Sequence, residues 1–400
     1  MKFGIIREGK TPPDKRVPLT PDQCKWLKEE YPQMQLVVQP SPIRDFADDE
    51  YTAKGISLQE DLSDCDVLLG VKEVPLEMLI PGKTYMFFSH TYKMQPYNKK
   101  LLQTILEKKI RLIDYEMLRE PAGRRVLGFG RYAGIVGAYN AFRAWGEANK
   151  TYTLKPAHLC EDRKEMEREL IKVQLPQTFK VAITGAGRVA AGVMEILSAL
   201  RLTHVFPEEY LSESFNEPIF TQLDVREYFE RKDGGDFKRQ EFYTQPEGFQ
   251  SAFMKYAKVT DMYIPAHFWS DKSPLIFSRE DARSNDFNIK LVADISCDID
   301  GPVASTIRPS TIAEPFYSYN AQTEQEVPFG TKGAIAVVAV DNLPCELPKD
   351  ASEDFGNELI KNVIPHFFNG DPDQILAKAS ETNTEGQLTS YFNYLQDYVK

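Results

Sequence analysis

The sequence predicts an α/β protein of two domains, each built on an open and mostly parallel sheet. Short apolar runs alternate with amphipathic helical segments along most of the chain, which is the pattern of strands joined by crossover helices. One strand–helix junction, at residues 185–187, is a glycine-rich turn. The 400 residues also exceed what one hydrophobic core usually organises, so two domains of about 150–200 residues each are expected.

The alternation begins at the N-terminus. "KFGIIRE" (2–8) has the short apolar run of a buried parallel strand, and "TPDQCKWLKEEY" (20–31) begins as a helix, with Thr and Pro. Further strands are predicted at 35–40, 66–73, 84–90 and 110–116, with a helix at 95–109. Open α/β sheets bind ligands at the carboxyl ends of their strands, which is where Lys72, Glu73, His90 and Glu116 fall.

The segment 128–150, "GFGRYAGIVGAYNAFRAWGEANK", predicts a helix rich in Gly and Ala. Small side chains let such a helix pack closely against neighbouring backbone, as a helix between two domains must. A polar stretch of mixed charge follows at 155–175.

The most informative local pattern is "FKVAITGAGRVAAGVMEILSAL" (179–200), which predicts a strand, a tight turn and a helix. The helix N-terminus carries positive partial charge that can hold a pyrophosphate, and the glycines let the backbone approach it. Ala190 takes the third glycine position of the dinucleotide motif, where a small side chain suffices. We therefore predict a Rossmann-like nucleotide domain, with Gly185, Gly187, Arg188 and Val189 at the cofactor.

An acid at the end of the following strand usually binds the adenosine ribose. The ordinary spacing of about 20 residues leads into the polar segment 207–217, which resembles an insertion. The next strand-like run is 218–230, and Asp224 within it is the candidate. An acid here favours NAD over NADP, because it repels a 2′-phosphate, although the nearby Arg226 weakens this inference.

The remaining elements of the nucleotide domain follow in order. Strands are predicted at 261–266 and 290–301, and a helix at 333–347. Asp294 and Asp298 could form a metal pair, but capping of the sheet end or a contact with the cofactor is favoured, so Asp294 is assigned to the cofactor site and no metal is expected.

Composition excludes several classes of function. The net charge of −11 works against binding to nucleic acid or an anionic membrane, which needs clustered cations. No run approaches the ~18–20 apolar residues of a membrane span, and no signal peptide is apparent, so a cytoplasmic protein is expected. The five cysteines are odd in number and lack CxxC spacing, which indicates reduced thiols.

Five segments together carry a resemblance to a known family. The opening "GIIREGKTPPDKRVPLTP" (4–21) resembles that of the alanine dehydrogenase and transhydrogenase superfamily. Within it, the lysine-forming saccharopine dehydrogenases are the most similar. The segments that support this are "GVKEVP" (70–75), "FFSHTYKMQ" (87–95), "GRRVLGFGRYAGIVGA" (123–138) and "VAVDNLPCELPKDASEDFGNEL" (338–359).

The resemblance implies a two-domain enzyme with its active site in the interdomain cleft. Residues 1–136 plus 371–400 would form the catalytic domain and 137–370 the NAD-binding domain. Lys72 and His90 would be the acid–base groups. The resemblance also implies Arg16 and Arg125 for substrate carboxylates, Lys93 and Gln95 lining the same pocket, Glu73 and Glu116 tuning its charge, Phe129 as an aromatic at the cleft, and Asp341 near the nicotinamide.

Three functions remain open. The leading one is NAD-dependent oxidative deamination of saccharopine to L-lysine and 2-oxoglutarate by a monomer or small homo-oligomer. The second is a sister reaction, that of alanine dehydrogenase or of an N-(carboxyethyl)ornithine synthase; Lys93 and Gln95 argue against plain alanine, which needs no extra polar partners. The third is a catalytically silent NAD-binding sensor. Lys72 alone would be a solvated strand-end lysine and His90 alone a structural histidine. Their joint occurrence at successive strand ends favours catalysis.

Overall fold

A computed structural model describes residues 1–400 and shows a mixed α/β protein with open, mostly parallel sheets, which confirms the predicted fold class. Close contacts divide the chain into two compact units, residues 1–129 with 348–400 and residues 130–347. The predicted domains, residues 1–136 with 371–400 and residues 137–370, differ from these units at both boundaries. Residues 348–370 lie in the first unit because Phe355 and Leu359 are part of its hydrophobic core.

Strands and helices alternate along much of the chain. The strands are β1 Lys2–Ile5, β2 Gln35–Val38, β3 Ser57–Leu58, β4 Val67–Leu69, β5 Thr84–Phe87, β6 Arg111–Asp114, β7 Lys180–Thr184, β8 Thr203–His204, β9 Ile219–Leu223, β10 Phe229–Arg231, β11 Phe249–Ser251, β12 Met262–Pro265, β13 Leu291–Ala293, β14 Phe316–Asn320, β15 Gln325–Val327 and β16 Ile335–Val338. The helices are α1 Pro21–Glu30, α2 Asp48–Ala53, α3 Lys99–Glu107, α4 Gly130–Asn149, α5 Arg163–Glu169, α6 Arg188–Ala199, α7 Pro207–Ser212, α8 Val225–Tyr228, α9 Arg239–Thr244, α10 Met254–Ala257, α11 Arg279–Arg283, α12 Pro348–Asn362, α13 Ile375–Ala379 and α14 Gln396–Val399. None of these helices combines the length and the apolar character that crossing a membrane requires.

The first unit is built on a six-stranded sheet in the order β3-β2-β1-β4-β5-β6, and all of its strand pairs are parallel. The predicted helix at 20–31 is α1, which Thr20 caps by accepting a hydrogen bond from the Gln23 N–H. Apolar residues of β1, α1 and α12 meet in one core. Both stretches of chain that make up this unit therefore contribute to the core against the sheet.

The second unit contains an eight-stranded sheet in the order β15-β14-β16-β13-β12-β7-β9-β8. Six of these strands run parallel, while β14 and β15 form an antiparallel pair at one edge. The predicted insertion at 207–217 contains helix α7. The antiparallel pairs β10–β11 and β14–β15 have no counterpart in the predicted parallel sheets.

The segment 333–347 was predicted as a helix, and this prediction is wrong. Residues Ile335–Val338 form β16, a strand buried on both faces between β13 and β14, and a 3-10 turn follows at Leu343–Glu346. The run "IAVVAV" is rich in β-branched side chains, which favour a pleated strand over a helix. Both faces of this strand are buried, so every residue in the run is apolar. The sequence therefore shows neither the two-residue period of a strand nor the 3.6-residue period of a helix.

The glycine-rich helix α4 packs against α6 at backbone contact, within the second unit. A Cβ atom on Gly134 would lie 1.9 Å from the Val189 carbonyl oxygen, and one on Gly192 would lie 2.0 Å from the Arg131 carbonyl oxygen. The predicted close packing of this helix is therefore confirmed, and glycine is required at the crossing because no side chain fits there.

We expect Gly134→Ala to destabilise the protein by about 3 kcal/mol or more, because backbone must separate to admit the methyl group. Gly248→Ala is the matched control, since a Cβ there meets no atom within 4 Å, and we expect a change within about 0.5 kcal/mol. Urea unfolding of both variants measures the difference. Equal midpoints for Gly134→Ala and the control would contradict the packing described.

Candidate active site

Polar residues gather at the carboxyl edge of the first sheet. The order β3-β2-β1-β4-β5-β6 reverses between β1 and β4, and open α/β sheets bind ligands at such a reversal. Glu8 follows β1, Lys72 and Glu73 follow β4, His90 follows β5 and Glu116 follows β6. Because all these strands are parallel, the residues emerge on the same edge, as the sequence predicted for all of them except Glu8.

Glu8 holds the backbone that carries Lys72. Its carboxylate accepts the Val71 N–H at 2.7 Å and the Lys72 N–H at 2.9 Å. Burial raises the pKa of Glu8 to about 7, although these two hydrogen bonds act in the opposite direction. Sequence reasoning missed Glu8, yet its position at the end of the first predicted strand was an available signal. The Lys72 side chain itself is partly buried.

His90 lies in the left-handed region, with φ of 56°, and its Nδ1 is 2.8 Å from Oε1 of Glu73. Glu73 is buried and also accepts a hydrogen bond from Lys10. Burial alone would raise its pKa, but hydrogen bonds from His90 and Lys10 outweigh burial and lower the pKa to about 2. An ionised carboxylate only accepts hydrogen bonds, so Nδ1 carries the proton and Nε2 remains for proton transfer.

Arg16 is a buried cation in a fixed plane. Its guanidinium donates to both carboxylate oxygens of Asp14, from Nε at 3.0 Å and from Nη2 at 2.6 Å. It also lies 4.1 Å from the ring centroid of Phe129, which stacks on Phe355. Although burial opposes ionisation, Arg16 lowers the pKa of Asp14. Arg16 and Phe129, which were predicted separately as site residues, are thus in direct contact.

Glu116 collects the other predicted cations. Its carboxylate is hydrogen-bonded to Arg125 and to the Tyr92 hydroxyl, and Lys93 Nζ lies 3.2 Å away. Burial would raise the pKa of Glu116, but Arg125, with help from Tyr92 and Lys93, lowers it to about 2. Gln95 is not brought into this group: its side chain is exposed, while its carbonyl accepts the Tyr398 hydroxyl at 2.5 Å.

The second unit forms the predicted strand, turn and helix of a nucleotide site. Gly185 has φ of +106° and approaches the Ala266 backbone so closely that a Cβ would lie 2.5 Å from its carbonyl oxygen. A Cβ on Gly187 would meet nothing within 4 Å, so the start of α6 is open. Arg188 and Val189 form the first turn of that helix, and Ala190 is fully buried.

Asp224 lies at the end of β9, the strand beside β7, as predicted. Its two carboxylate oxygens accept hydrogen bonds from Arg239 Nη2 at 2.8 and 2.6 Å, and Arg226 Nε lies 4.0 Å away. Asp224 and Arg239 line a cavity of about 280 Å³ together with residues 185–187. Arg239 was missed because nothing in the local pattern links it to an acid 15 positions earlier.

The other two predicted cofactor residues have different surroundings. Asp294 is buried, and its oxygens accept hydrogen bonds from Ser296, from the Cys297 N–H and from Thr306. This arrangement corresponds to the alternative of a capped sheet end. Asp341 is exposed, three residues beyond the end of β16.

Comparisons with known proteins confirm the predicted resemblance. Residues 4–136 match the alanine dehydrogenase/PNT N-terminal domain. The chain is 30% identical to the mitochondrial alpha-aminoadipic semialdehyde synthase of Mus musculus, over 98% of this chain and 47% of that protein. It is 25% identical to the saccharopine dehydrogenase [NAD(+), L-lysine-forming] of Emericella nidulans, over 90% of each. The chain thus spans about half the length of the synthases it matches.

A solved structure shows the same fold at low sequence identity. An L-alanine dehydrogenase aligns with a TM-score of 0.65 and 16% identity, covering 100% of this chain and 99% of that one. This likeness shows that the chain has the overall fold of that dehydrogenase.

We expect Glu116→Gln to destabilise the protein at pH 7, by on the order of 1–3 kcal/mol, and much less near pH 3. The folded pKa of about 2 lies below the unfolded value of 4.5. The carboxylate therefore stabilises the fold above pH 4.5, and this contribution is lost as the pH falls toward 2.

Chemical unfolding between pH 7 and pH 3 measures this effect. Glu107→Gln, which changes an exposed acid on α3, is the control and should run parallel to the wild type. A Glu116→Gln deficit that stays constant across this range would show that the charge of Glu116 is not the cause.

Proposed function

We propose that this protein is an NAD-dependent saccharopine dehydrogenase that interconverts saccharopine with L-lysine and 2-oxoglutarate. The observation that carries the proposal is the convergence of Lys72 and His90, with their buried acids, at the carboxyl edge of one parallel sheet. The names of the matched relatives, an alpha-aminoadipic semialdehyde synthase and lysine-forming saccharopine dehydrogenases, support the same chemistry.

The cations near this edge suit the substrate. Saccharopine is a secondary amine that joins lysine to a glutarate skeleton, so it presents several carboxylates. A guanidinium held in one plane can bind a carboxylate bidentately. Arg16, fixed between Asp14 and Phe129, and Arg125, fixed by Glu116, are the proposed carboxylate partners. Lys93, 41% exposed beside Glu116, would extend the same pocket.

The reaction requires proton transfers at two points. NAD, held by the start of α6 and Asp224, would supply the hydride acceptor. Loss of hydride from the carbon beside the nitrogen needs a neutral amine, so Lys72 would take the ammonium proton. The resulting imine is attacked by water, and His90 would remove a proton from that water through Nε2. The same nitrogen would return that proton to the lysine amine as the C–N bond breaks, and the hydroxyl proton of the intermediate would pass to solvent as the ketone forms. Glu73 supports both steps because it holds Nδ1–H and stabilises the imidazolium that forms.

The second unit has the features that a dinucleotide needs. The N-terminus of α6, a helix of 12 residues, is open where Gly187 lacks a side chain. Backbone N–H groups there and the helix dipole favour a pyrophosphate. Asp224, at the end of the neighbouring strand, is the proposed partner of the ribose hydroxyls.

We expect Lys72→Met and His90→Gln to lower kcat by roughly 10²–10⁴-fold, because general acid–base groups typically contribute that much. NADH affinity should stay within about threefold of the wild type, since neither residue belongs to the unit that carries the nucleotide motif. Lys100→Met and His204→Gln, at exposed positions, are the controls. Unchanged kcat in both site variants would refute the assigned roles.

The rate of NADH oxidation with three pairs of reactants identifies the substrate. Turnover with lysine plus 2-oxoglutarate is expected. Turnover only with pyruvate plus ammonia would instead identify an alanine dehydrogenase, and turnover only with pyruvate plus ornithine an opine-type synthase. NADH binding without turnover on any pair would indicate a catalytically silent NAD-binding sensor.

For the cofactor, we expect Asp224→Ala to weaken NADH binding by about tenfold, the value of one charge-assisted hydrogen bond. The same change frees Arg239 from its carboxylate partner, so NADPH affinity should rise relative to NADH. Fluorescence titration with both nucleotides measures the ratio, and Asp286→Ala, at an exposed acid of the same unit, is the control. An unaltered ratio would mean that another residue reads the ribose.

A further inference from the structure

His90 is flanked by two hydroxyl groups that are fully buried. Ser89 and Thr91 are each 0% exposed, and their Oγ atoms lie 2.6 Å apart. Beyond them stand two buried carboxylates. Asp114 Oδ2 is 2.5 Å from Ser89 Oγ, and Glu381 Oε2 is 2.6 Å from Thr91 Oγ1. The four side chains form a continuous row, and Ser89 Oγ also lies 3.3 Å from Glu381 Oε1.

Glu381 is supplied by the C-terminal segment, which is fixed to the sheet edge beside β6. The Glu381 N–H donates to the Leu112 carbonyl at 2.8 Å, and the Leu112 N–H donates to Thr382 Oγ1 at 3.0 Å. The backbone of residues 380–382 therefore sets the position of this carboxyl group, and the side chain does not depend on a flexible tail.

The row contains three short oxygen–oxygen contacts, but its two hydroxyl groups supply only two hydrogens. Three contacts of 2.5–2.6 Å join Asp114, Ser89, Thr91 and Glu381 in line, and each requires one hydrogen. The two hydroxyls supply one hydrogen each, and ionised carboxylates supply none. A proton on one of the acids completes the set. With Glu381 protonated, its O–H donates to Thr91, Thr91 to Ser89 and Ser89 to Asp114.

The surroundings favour retaining that proton near neutral pH. Burial raises the pKa of Glu381 to about 8, and the charge of Asp114 adds to this. Burial raises the pKa of Asp114 as well. The other titratable groups facing the pair are the Glu116 carboxylate, which also disfavours a second negative charge, and the phenols of Tyr92, Tyr115, Tyr394 and Tyr398.

We propose that Asp114 and Glu381 share one proton through Ser89 and Thr91, and that this row makes Glu381 a positioning residue for His90. The left-handed backbone at His90 is intrinsically unfavourable, by about 1–2 kcal/mol, and needs contacts on both sides to hold it. Anchored hydroxyls before and after His90 supply them, and they keep Nδ1 at Glu73. The positioning role rests on the proposed function, whereas the shared proton does not.

The shared proton is tested by melting temperature against pH, without any assay of activity. The folded pKa of Glu381, about 8, lies above its ordinary value of 4.5, so its stabilising effect is full below pH 4.5 and is lost as the pH rises to 8. Glu381→Gln keeps a donor toward Thr91 at every pH. We expect the Tm of the wild type to fall relative to that of Glu381→Gln, by several degrees, between pH 5 and pH 8.

The control for this measurement is Glu385→Gln, an exposed acid of the same segment, whose Tm curve should follow the wild type. If the curves of Glu381→Gln and the wild type remain parallel from pH 5 to pH 8, the two acids do not share a proton, and the proposal fails.

The positioning role is tested by rescue. We expect Thr91→Val, which removes the central hydroxyl at nearly constant volume, and Glu381→Ala to lower kcat at least tenfold with NADH affinity unchanged. Glu381→Gln should retain kcat within threefold at pH 7. Above pH 8 the wild type should lose activity as Glu381 loses its proton, whereas Glu381→Gln has no such proton to lose and should not show this decrease. Loss of Tm in Thr91→Val with full kcat would reduce the row to a structural role and overturn the proposal.

A histidine-labelled NMR spectrum separates this outcome from failure of the proposed function. The His90 resonances, assigned by their absence in His90→Gln, should shift in Thr91→Val and stay in place in Glu381→Gln. This result would support the positioning role even if the wild type oxidised NADH with none of the reactant pairs. Unmoved His90 resonances in Thr91→Val would refute it.

Discussion

The hydrogen bond between His90 and the buried carboxylate of Glu73 is the interaction on which the first unit's site depends. It selects one tautomer of the imidazole and therefore determines which ring nitrogen is available for proton transfer. It also requires two adjacent strands, β4 and β5, to end at one level, together with a left-handed residue after β5. Parallel pairing of β4 and β5 brings their carboxyl ends to the same height in the sheet. The buried hydroxyls beside His90 hold its left-handed backbone conformation.

Buried acids in this unit behave differently although their chemistry is the same. Glu73 and Glu116 have nearby cationic or hydrogen-bond donor side chains and remain ionised. Glu8 has only two backbone N–H donors, which do not offset burial. Glu381 is buried beside a second carboxylate, and both burial and that charge raise its pKa. The partners within about 3 Å, rather than the depth of burial alone, decide the charge of each acid.

The sequence predicted the elements whose signals are local. Alternating apolar runs and the turn at 185–187 led to the parallel sheets and the nucleotide motif, and strand ends indicated Lys72, His90 and Glu116. The strand β16 was missed because a doubly buried run shows no period. Glu381 and Arg239 act on residues that lie far away along the chain or in another element, so no spacing rule could reveal them. Long-range pairing of polar groups becomes visible only after folding.

The division of the chain also orders events during its synthesis. The second unit is one continuous segment, 130–347, while the first is assembled from two separate stretches. The core of the first unit needs Phe355, Leu359 and Ile375, which leave the ribosome after the whole of the second. Until residues 380–382 arrive, the outer edge of β6 presents unpaired backbone groups, which are sites for association with other chains. This edge is therefore covered only after residues 380–382 have been made.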